Sequence, residues 1–313
     1  PSPFTGPERM LRIITFMLCL IAASTTQAAA AERELLTSTH FAIEGPGGDR
    51  TVRFLADNAD AIAESVSSQL GFPLGRRMHI IVAPDRTSFN SAQPPGAHLP
   101  DWVVGTAYPP LGLIVLLKEP RGNILRTLEH EVCHILLGRA FGPDHRIPRW
   151  LHEGMSIIIA GEWSMQRLST MTMAVLTGRL LNMDDIAHSC PRDGRLAELA
   201  YCQSFYFISF LKSKFGDDDF RTFLQVYSIR RDFRQALRKT YYLDWEELEA
   251  QWLDYLKVRF SWIPILSSTG TLWFLASIVF IWGYVHKKRK NRKKLQQWEL
   301  EDLLSGESGE TRH

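Results

Sequence analysis

Short apolar stretches outline a set of strands in the first half of the chain. Alternating or continuous apolar residues predict strands at 38–45 and 77–84, and two further short strands over 102–117 that are separated by a PPLG turn. Gly105 within the first of this pair indicates an edge that is either irregular or closely approached by another group.

Longer stretches have apolar residues three and four positions apart, which is the helical spacing. This spacing predicts helices over 49–71 and 123–142, with Asn123 as the cap of the second helix. A further helical segment is expected to begin at Pro148. From about residue 196 to residue 260 the spacing is helical almost throughout.

The longest uncharged stretch lies near the C-terminus. Residues 262–285 carry no charge and, at 1.5 Å per residue, would form a helix roughly 36 Å long, enough to span a bilayer. The basic run HKKRKNRKK at 286–294 follows directly and predicts a cytoplasmic tail over 286–313. A buried core helix is the alternative for the apolar stretch, and the basic run is also suited to anionic lipid headgroups.

The N-terminal stretch is typical of a secretory signal. Arg12 precedes an apolar run, and small residues follow up to Ala31, so residues 1–31 are predicted to be a signal peptide region, with an uncleaved anchor as the alternative. With the C-terminal span, this places residues 32–260 on the periplasmic side of a cell membrane that the chain crosses once.

Composition and cysteine content add only a little to what the sequence indicates about fold and function. The chain has 313 residues, of which 45% are hydrophobic and 22% charged, and a formal net charge of +2. This balance predicts a folded core and gives no indication of a nucleic-acid-binding face. In an oxidising compartment Cys190 and Cys202 would either form a disulfide or remain as two free buried thiols.

The strongest chemical signal is the sequence HEVCH at 130–134 in the predicted helix 123–142. Residues four apart lie on one face of a helix, so His130 and His134 are placed to bind one metal ion, with Glu131 beside them. A catalytic zinc ion takes three protein ligands and keeps one position open. Glu153 follows His134 after eighteen intervening residues and supplies a candidate third ligand.

These residues resemble the gluzincin metallopeptidases, in which the HExxH motif is followed after eighteen residues by a glutamate. The stretches HFAIEG, VVGTAY, LEHEVCHILLG, PRWLHEGMS and AYCQSFYFISFLKSKFG narrow the resemblance to the peptidase MA-like group, over roughly residues 36–258. The resemblance implies an α+β, zincin-like domain with a small mixed sheet and a mostly helical C-terminal part, to which the transmembrane helix is added.

The resemblance also implies roles for individual residues. His130, His134 and Glu153 would bind one Zn²⁺ ion per chain, and Glu131 would be the general base that lets a zinc-activated water hydrolyse a peptide bond. Tyr201 is the first candidate for the donor to the oxyanion, and Tyr206 is the second. The strand around Ile114–Leu117 would be the sheet edge that pairs with a peptide substrate.

Two functions are therefore expected from the sequence, in order of preference. The first is a membrane-anchored zinc metallopeptidase that acts on polypeptides near the bilayer. The second is a catalytically silent binding or assembly module with the same fold. A structural zinc site is a weaker third possibility, because such sites are closed by four ligands and rich in cysteine. The pattern does not predict an oligomeric state or an identified substrate.

Overall fold

The computed structural model has one mixed sheet, which lies in the first half of the chain, and a series of helices. The described residues are 33–97, 99–119, 122–188, 191, 193–260 and 269–307. The predicted signal peptide region lies outside them.

Five strands form the sheet. They are β1 (Arg33–Thr37), β2 (Phe41–Pro46), β3 (Met78–Ala83), β4 (Gly105–Tyr108) and β5 (Leu113–Leu117). Their order in the sheet is β1-β2-β3-β5-β4, with β2, β3 and β5 parallel and the two outer strands antiparallel to their neighbours. This is the small mixed sheet that the family resemblance implied.

The position of β5 corrects one prediction. The strand around Ile114–Leu117 lies between β3 and β4, and the sheet ends at β4 instead. The burial of β5 gives the physical reason, because Ile114, Val115 and Leu116 are fully buried and a strand enclosed on both faces belongs inside a sheet. Strand β1 was not predicted. Its side chains alternate between exposed and half-buried, as in an edge strand.

Helices make up most of the chain after β5. The helices are α1 (Arg50–Leu70), α2 (Arg86–Ser91), α3 (Ile124–Phe141), α4 (Arg149–Ile159), α5 (Met165–Leu176), α6 (Met183–His188), α7 (Gly194–Phe215), α8 (Asp217–Arg230), α9 (Phe233–Tyr241), α10 (Trp245–Arg259) and α11 (Thr269–Glu307). The predicted helices at 49–71 and 123–142 are confirmed as α1 and α3. The Asn123 side chain caps α3 by accepting a hydrogen bond from the backbone N–H of Arg126, at 3.3 Å.

Helix α4 lies very close to α7. Gly154 makes this approach possible, because a Cβ atom at that position would lie 2.5 Å from the carbonyl oxygen of Ser204. On the same helix Trp150 is buried against Phe207, with ring centroids 4.8 Å apart. The backbone of α4, and with it Glu153, is therefore fixed against the helical core.

Only one of the two cysteines named as a possible pair, Cys202, lies among the described residues. It is a buried free thiol, with its Sγ 3.8 Å from Glu198 Oε1, whereas Cys190 lies outside the described residues. Cys133 is also buried and free, in keeping with a small apolar residue in the core.

The predicted membrane span at 262–285 falls partly outside the described residues, since 261–268 are among those left out. Within the part that is described, none of the helices combines the length and the apolar character that crossing a bilayer requires. The transmembrane element of the predicted fold is therefore not supported by the structure.

Candidate metal centre

Two helices bring the three predicted ligands together. His130 and His134 project from one face of α3, and Glu153 projects towards them from α4. One ligand atom of each residue lies within 4.8 Å of the other two. In the described part of the chain this is the one group of histidine, cysteine or acidic side chains that meets the geometry of a metal site.

The separations suit a tetrahedral zinc ion. Nε2 of His130 lies 3.8 Å from Oε2 of Glu153, and Nε2 of His134 lies 3.7 Å from the same oxygen. Two ligand atoms bound about 2.0–2.2 Å from a tetrahedral ion would lie roughly 3.3–3.6 Å apart, which is close to these two separations. The donor set of two imidazoles and a carboxylate fits a catalytic zinc site with one open position.

The other ring nitrogen of each histidine is already engaged. His130 Nδ1 lies 3.0 Å from Glu162 Oε1, and a carboxylate can only accept, so Nδ1 carries the proton. His134 Nδ1 lies 3.1 Å from Ser156 Oγ, whose own proton is donated to the carbonyl of His152 at 3.0 Å. Both Nδ1 atoms are therefore donors, which leaves both Nε2 lone pairs available to a metal ion.

The charges around His130 favour a cation. Burial lowers the pKa of His130, but its contacts with the carboxylates of Glu153 and Glu162, and the charge of Glu131, outweigh this effect and raise the pKa to about 10. Burial raises the pKa of Glu153, yet its contacts with His130 and His134 hold that pKa far below the usual range. A proton or a metal ion supplies the positive charge that these carboxylates need.

Glu131 is the most enclosed carboxyl group of the site. The residue is 6% exposed, and burial raises its pKa to about 7, against a lowering contribution from His130. Gly105 of β4 lies directly over it, because a Cβ atom there would sit 2.6 Å from Glu131 Oε1 and 2.6 Å from Thr127 Cγ2. The close approach predicted for Gly105 is thus between the edge strand and the candidate base.

An open cleft of about 1190 Å³ passes over these groups. Tyr201 of α7 lines it together with the three candidate ligands and Glu131. Tyr206, the second candidate donor, lies instead in the helical core, 4% exposed, with its ring 5.0 Å from that of Phe260. Of the two predicted donors, the structure places only Tyr201 beside the site.

The sequence of the chain matches the profile of the Peptidase MA superfamily over residues 89–258, more than half of its length. The chain belongs to the Peptidase MA superfamily. The match covers α3 and α4, which carry His130, Glu131, His134 and Glu153. The predicted relationship to the peptidase MA-like zinc metallopeptidases is confirmed. No curated protein matches the chain.

Solved structures resemble this superfamily member only distantly. The M1 zinc metallopeptidase from Deinococcus radiodurans, solved as a mutant, has a TM-score of 0.46 and 14% identity, over 72% of this chain and 51% of that one. Native leukotriene A4 hydrolase from Saccharomyces cerevisiae has a TM-score of 0.44 and 11% identity, over 71% and 38% of the two chains. This chain therefore spans about half, or less, of the proteins it matches.

Sequence reasoning missed the groups that hydrogen-bond to the candidate ligand histidines. Ser156 and Glu162 contact the two histidines from 22 and 32 residues away, respectively, and no spacing rule singles them out. His152, which precedes Glu153, also contacts a candidate ligand, since its ring stacks on that of His134 with centroids 4.2 Å apart. Tyr108 of β4 also lines the cleft, and a tyrosine in a short strand carries no signal for that position.

Proposed function

We propose that the chain is a zinc metallopeptidase that hydrolyses peptide bonds. The observation that carries this proposal is the convergence of His130, His134 and Glu153 beside a buried carboxyl group, at the base of an open cleft. Membership of the Peptidase MA superfamily supports the same reaction.

The three ligands would hold one zinc ion, with the two histidines binding through Nε2 and Glu153 through Oε2. When bound, zinc supplies a Lewis acid that makes water a stronger nucleophile and polarises the substrate carbonyl. Glu131 accepts a proton from the attacking water and passes it to the amine that leaves. Burial raises the pKa of the Glu131 carboxyl group to about 7. A general base that works near neutral pH requires a pKa in this range.

The substrate would be a polypeptide bound in extended form. Strand β4 pairs with β5 on one side, and no strand among the described residues pairs with its other side. A peptide added along that side by backbone hydrogen bonds would pass Gly105 and therefore Glu131. Tyr201, which lines the same cleft, is the proposed hydrogen-bond donor to the oxyanion.

We further propose that the chain is anchored in a cell membrane near its C-terminus, with the peptidase domain on the periplasmic side. The support is the uncharged sequence 262–285 followed by the basic run at 286–294. Large apolar side chains of α11 within this stretch, such as Trp273, Phe280 and Trp282, are exposed rather than packed against the domain. Its substrates would then be polypeptides close to the bilayer surface.

The test of the enzymatic proposal measures zinc and cleavage separately on the purified full chain. Zinc is quantified by elemental analysis, and cleavage is followed on a mixed peptide library by mass spectrometry. The variants are Glu131→Gln and Glu153→Ala. Glu64→Gln is the matched control, because Glu64 is an exposed glutamate on α1 that contacts another histidine, His40, at 3.6 Å.

The expected results differ between the variants. Wild type and Glu64→Gln bind about one zinc ion per chain and cleave the library. Glu153→Ala loses zinc, and Glu131→Gln keeps zinc but cleaves about 100- to 10,000-fold more slowly. Absence of zinc from the wild type would refute the proposal, and zinc without any cleavage would favour the silent binding module.

A further inference from the structure

Glu162 lies outside the zinc motif but directly behind one of its ligands. It follows Gly161 in the turn after α4, and its Oε1 is 3.0 Å from Nδ1 of His130. Its side chain is 25% exposed. The Glu162 carboxylate is therefore the acceptor that fixes which nitrogen of His130 carries the proton.

Arg167 holds Glu162 in this position. Its Nη1 donates a hydrogen bond to the backbone carbonyl of Glu162, and its Nη2 lies 3.5 Å from Glu162 Oε2. On the far side its Nε lies 3.7 Å from Oε1 of Glu198 on α7. Arg167 lines the cleft, yet its donors point to these groups, so a role in holding Glu162 accounts for it better than substrate binding does.

The Nδ1 atoms of His130 and His134 thus have hydrogen-bond partners of different charge. The partner of His134 is the neutral hydroxyl of Ser156, whereas the partner of His130 is a carboxylate held by an arginine. A carboxylate acceptor both orients the imidazole and makes its other nitrogen a stronger ligand, to a greater degree than a hydroxyl does. The charge of Glu162 also adds to the field that favours a cation between His130 and Glu153.

We propose that Glu162 is a positioning residue for the metal centre, held by Arg167, and that it sets zinc affinity through His130. This inference rests on the proposed function, because it takes zinc to be the ligand of the site. It assigns Glu162 no contact with substrate. It therefore predicts a loss of zinc affinity in a chain that is otherwise folded.

The experiment measures the zinc dissociation constant of the purified full chain by competition with a chromogenic chelator. Thermal unfolding of the metal-free chain is recorded for each variant, so that a loss of fold is distinguished from a loss of zinc affinity. We expect about 100-fold weaker zinc binding for Glu162→Ala and about tenfold for Glu162→Gln, which keeps an acceptor oxygen but no charge. Arg167→Met, which releases Glu162, is expected to weaken binding about tenfold.

Glu64→Gln is again the matched control and should bind zinc as the wild type does, because Glu64 is exposed, contacts His40 and does not line the cleft. If Glu162→Ala folds and its zinc affinity lies within about twofold of that of the wild type, the inference is overturned. If that variant does not fold, the isosteric Glu162→Gln decides by the same criterion. A wild-type chain that binds no zinc would instead overturn the proposed function, so the two failures are distinguishable.

Discussion

At the scale of single residues, the balance around Glu131 determines how activity should depend on pH. The pKa of its carboxyl group is raised to about 7, chiefly by burial and also by the nearby Glu153 and Glu162, against a lowering contribution from His130. A general base works only when it is deprotonated. Activity should therefore be lost as the pH falls through this pKa, and a bound cation would move the midpoint to pH 7 or below.

The measurement is kcat/KM between about pH 5 and about pH 9, with zinc content determined on the same samples. We expect kcat/KM to fall about tenfold per pH unit below the midpoint while zinc is still bound. Zinc content is the control, because protonation of His130 and His134 would also end activity in acid. Constant kcat/KM down to about pH 5 with zinc retained would contradict the assignment of Glu131 as the base.

At the scale of elements, the contact between α4 and α7 decides whether Glu153, the third candidate ligand, reaches His130 and His134. The backbone atoms of Ser204 lie within 2.8 Å of where a Cβ of residue 154 would be, and backbone cannot move aside as a side chain can. Gly154→Ala should therefore push α4 away from α7 and carry Glu153 with it. We expect a loss of about 1–3 kcal/mol in the free energy of unfolding, together with weaker zinc binding.

Chemical denaturation and chelator competition check this prediction. Gly194→Ala is the matched control, since Gly194 also lies in a helix but its added Cβ would meet open space. The control should be as stable as the wild type or slightly more so, because alanine is the better helix former. Equal stability and zinc affinity of the two variants would show that the close approach at Gly154 is not needed.

Elements of this kind also show why part of the site could be predicted from the sequence and part could not. Helix α3 can be predicted from the spacing of its apolar residues and from its cap at Asn123. The four-residue spacing of its two histidines is also a local property of the sequence. The edge of the sheet is not local, because strand order depends on pairing between distant segments. The continuous apolar run of β5 was nevertheless a signal for an internal strand.

The residues that hydrogen-bond to the candidate ligand histidines could not be predicted from the sequence either, because their contacts are not local. Glu162 contacts His130 across 32 residues of sequence, and its position depends on the turn after α4 and on Arg167. Neither feature leaves a pattern of spacing in the chain. Candidate ligands that lie on one helix, or on two helices at a known spacing, can be predicted from the sequence. The hydrogen bonds that orient these ligands cannot, because they depend on tertiary packing.

At the scale of the whole molecule, the cleft and the proposed membrane anchor occupy separate parts of the sequence. The residues that line the cleft lie between Leu99 and Tyr201, and the helical core closes at Phe260, which packs against Tyr206. A chain that ends after Phe260 keeps this contact and loses the apolar and basic segments. It should therefore fold and cleave soluble peptides like the full chain, with kcat/KM within about twofold.

The two chains should differ in where they are found and in which substrates they reach. After cell lysis and washing with alkaline carbonate, the full chain should stay in the membrane pellet, whereas the shortened chain should be soluble. A full chain in which the basic residues of 286–294 are replaced by glutamate is the control for orientation, because the positive-inside rule depends on that charge and not on the apolar length. Release of the full chain by carbonate would contradict anchoring.

The substrate test compares cleavage of a membrane-tethered peptide by the two chains. Tethering raises the effective concentration of enzyme and substrate on one surface. Cleavage by the full chain alone would therefore show that anchoring directs the enzyme to substrates at the bilayer.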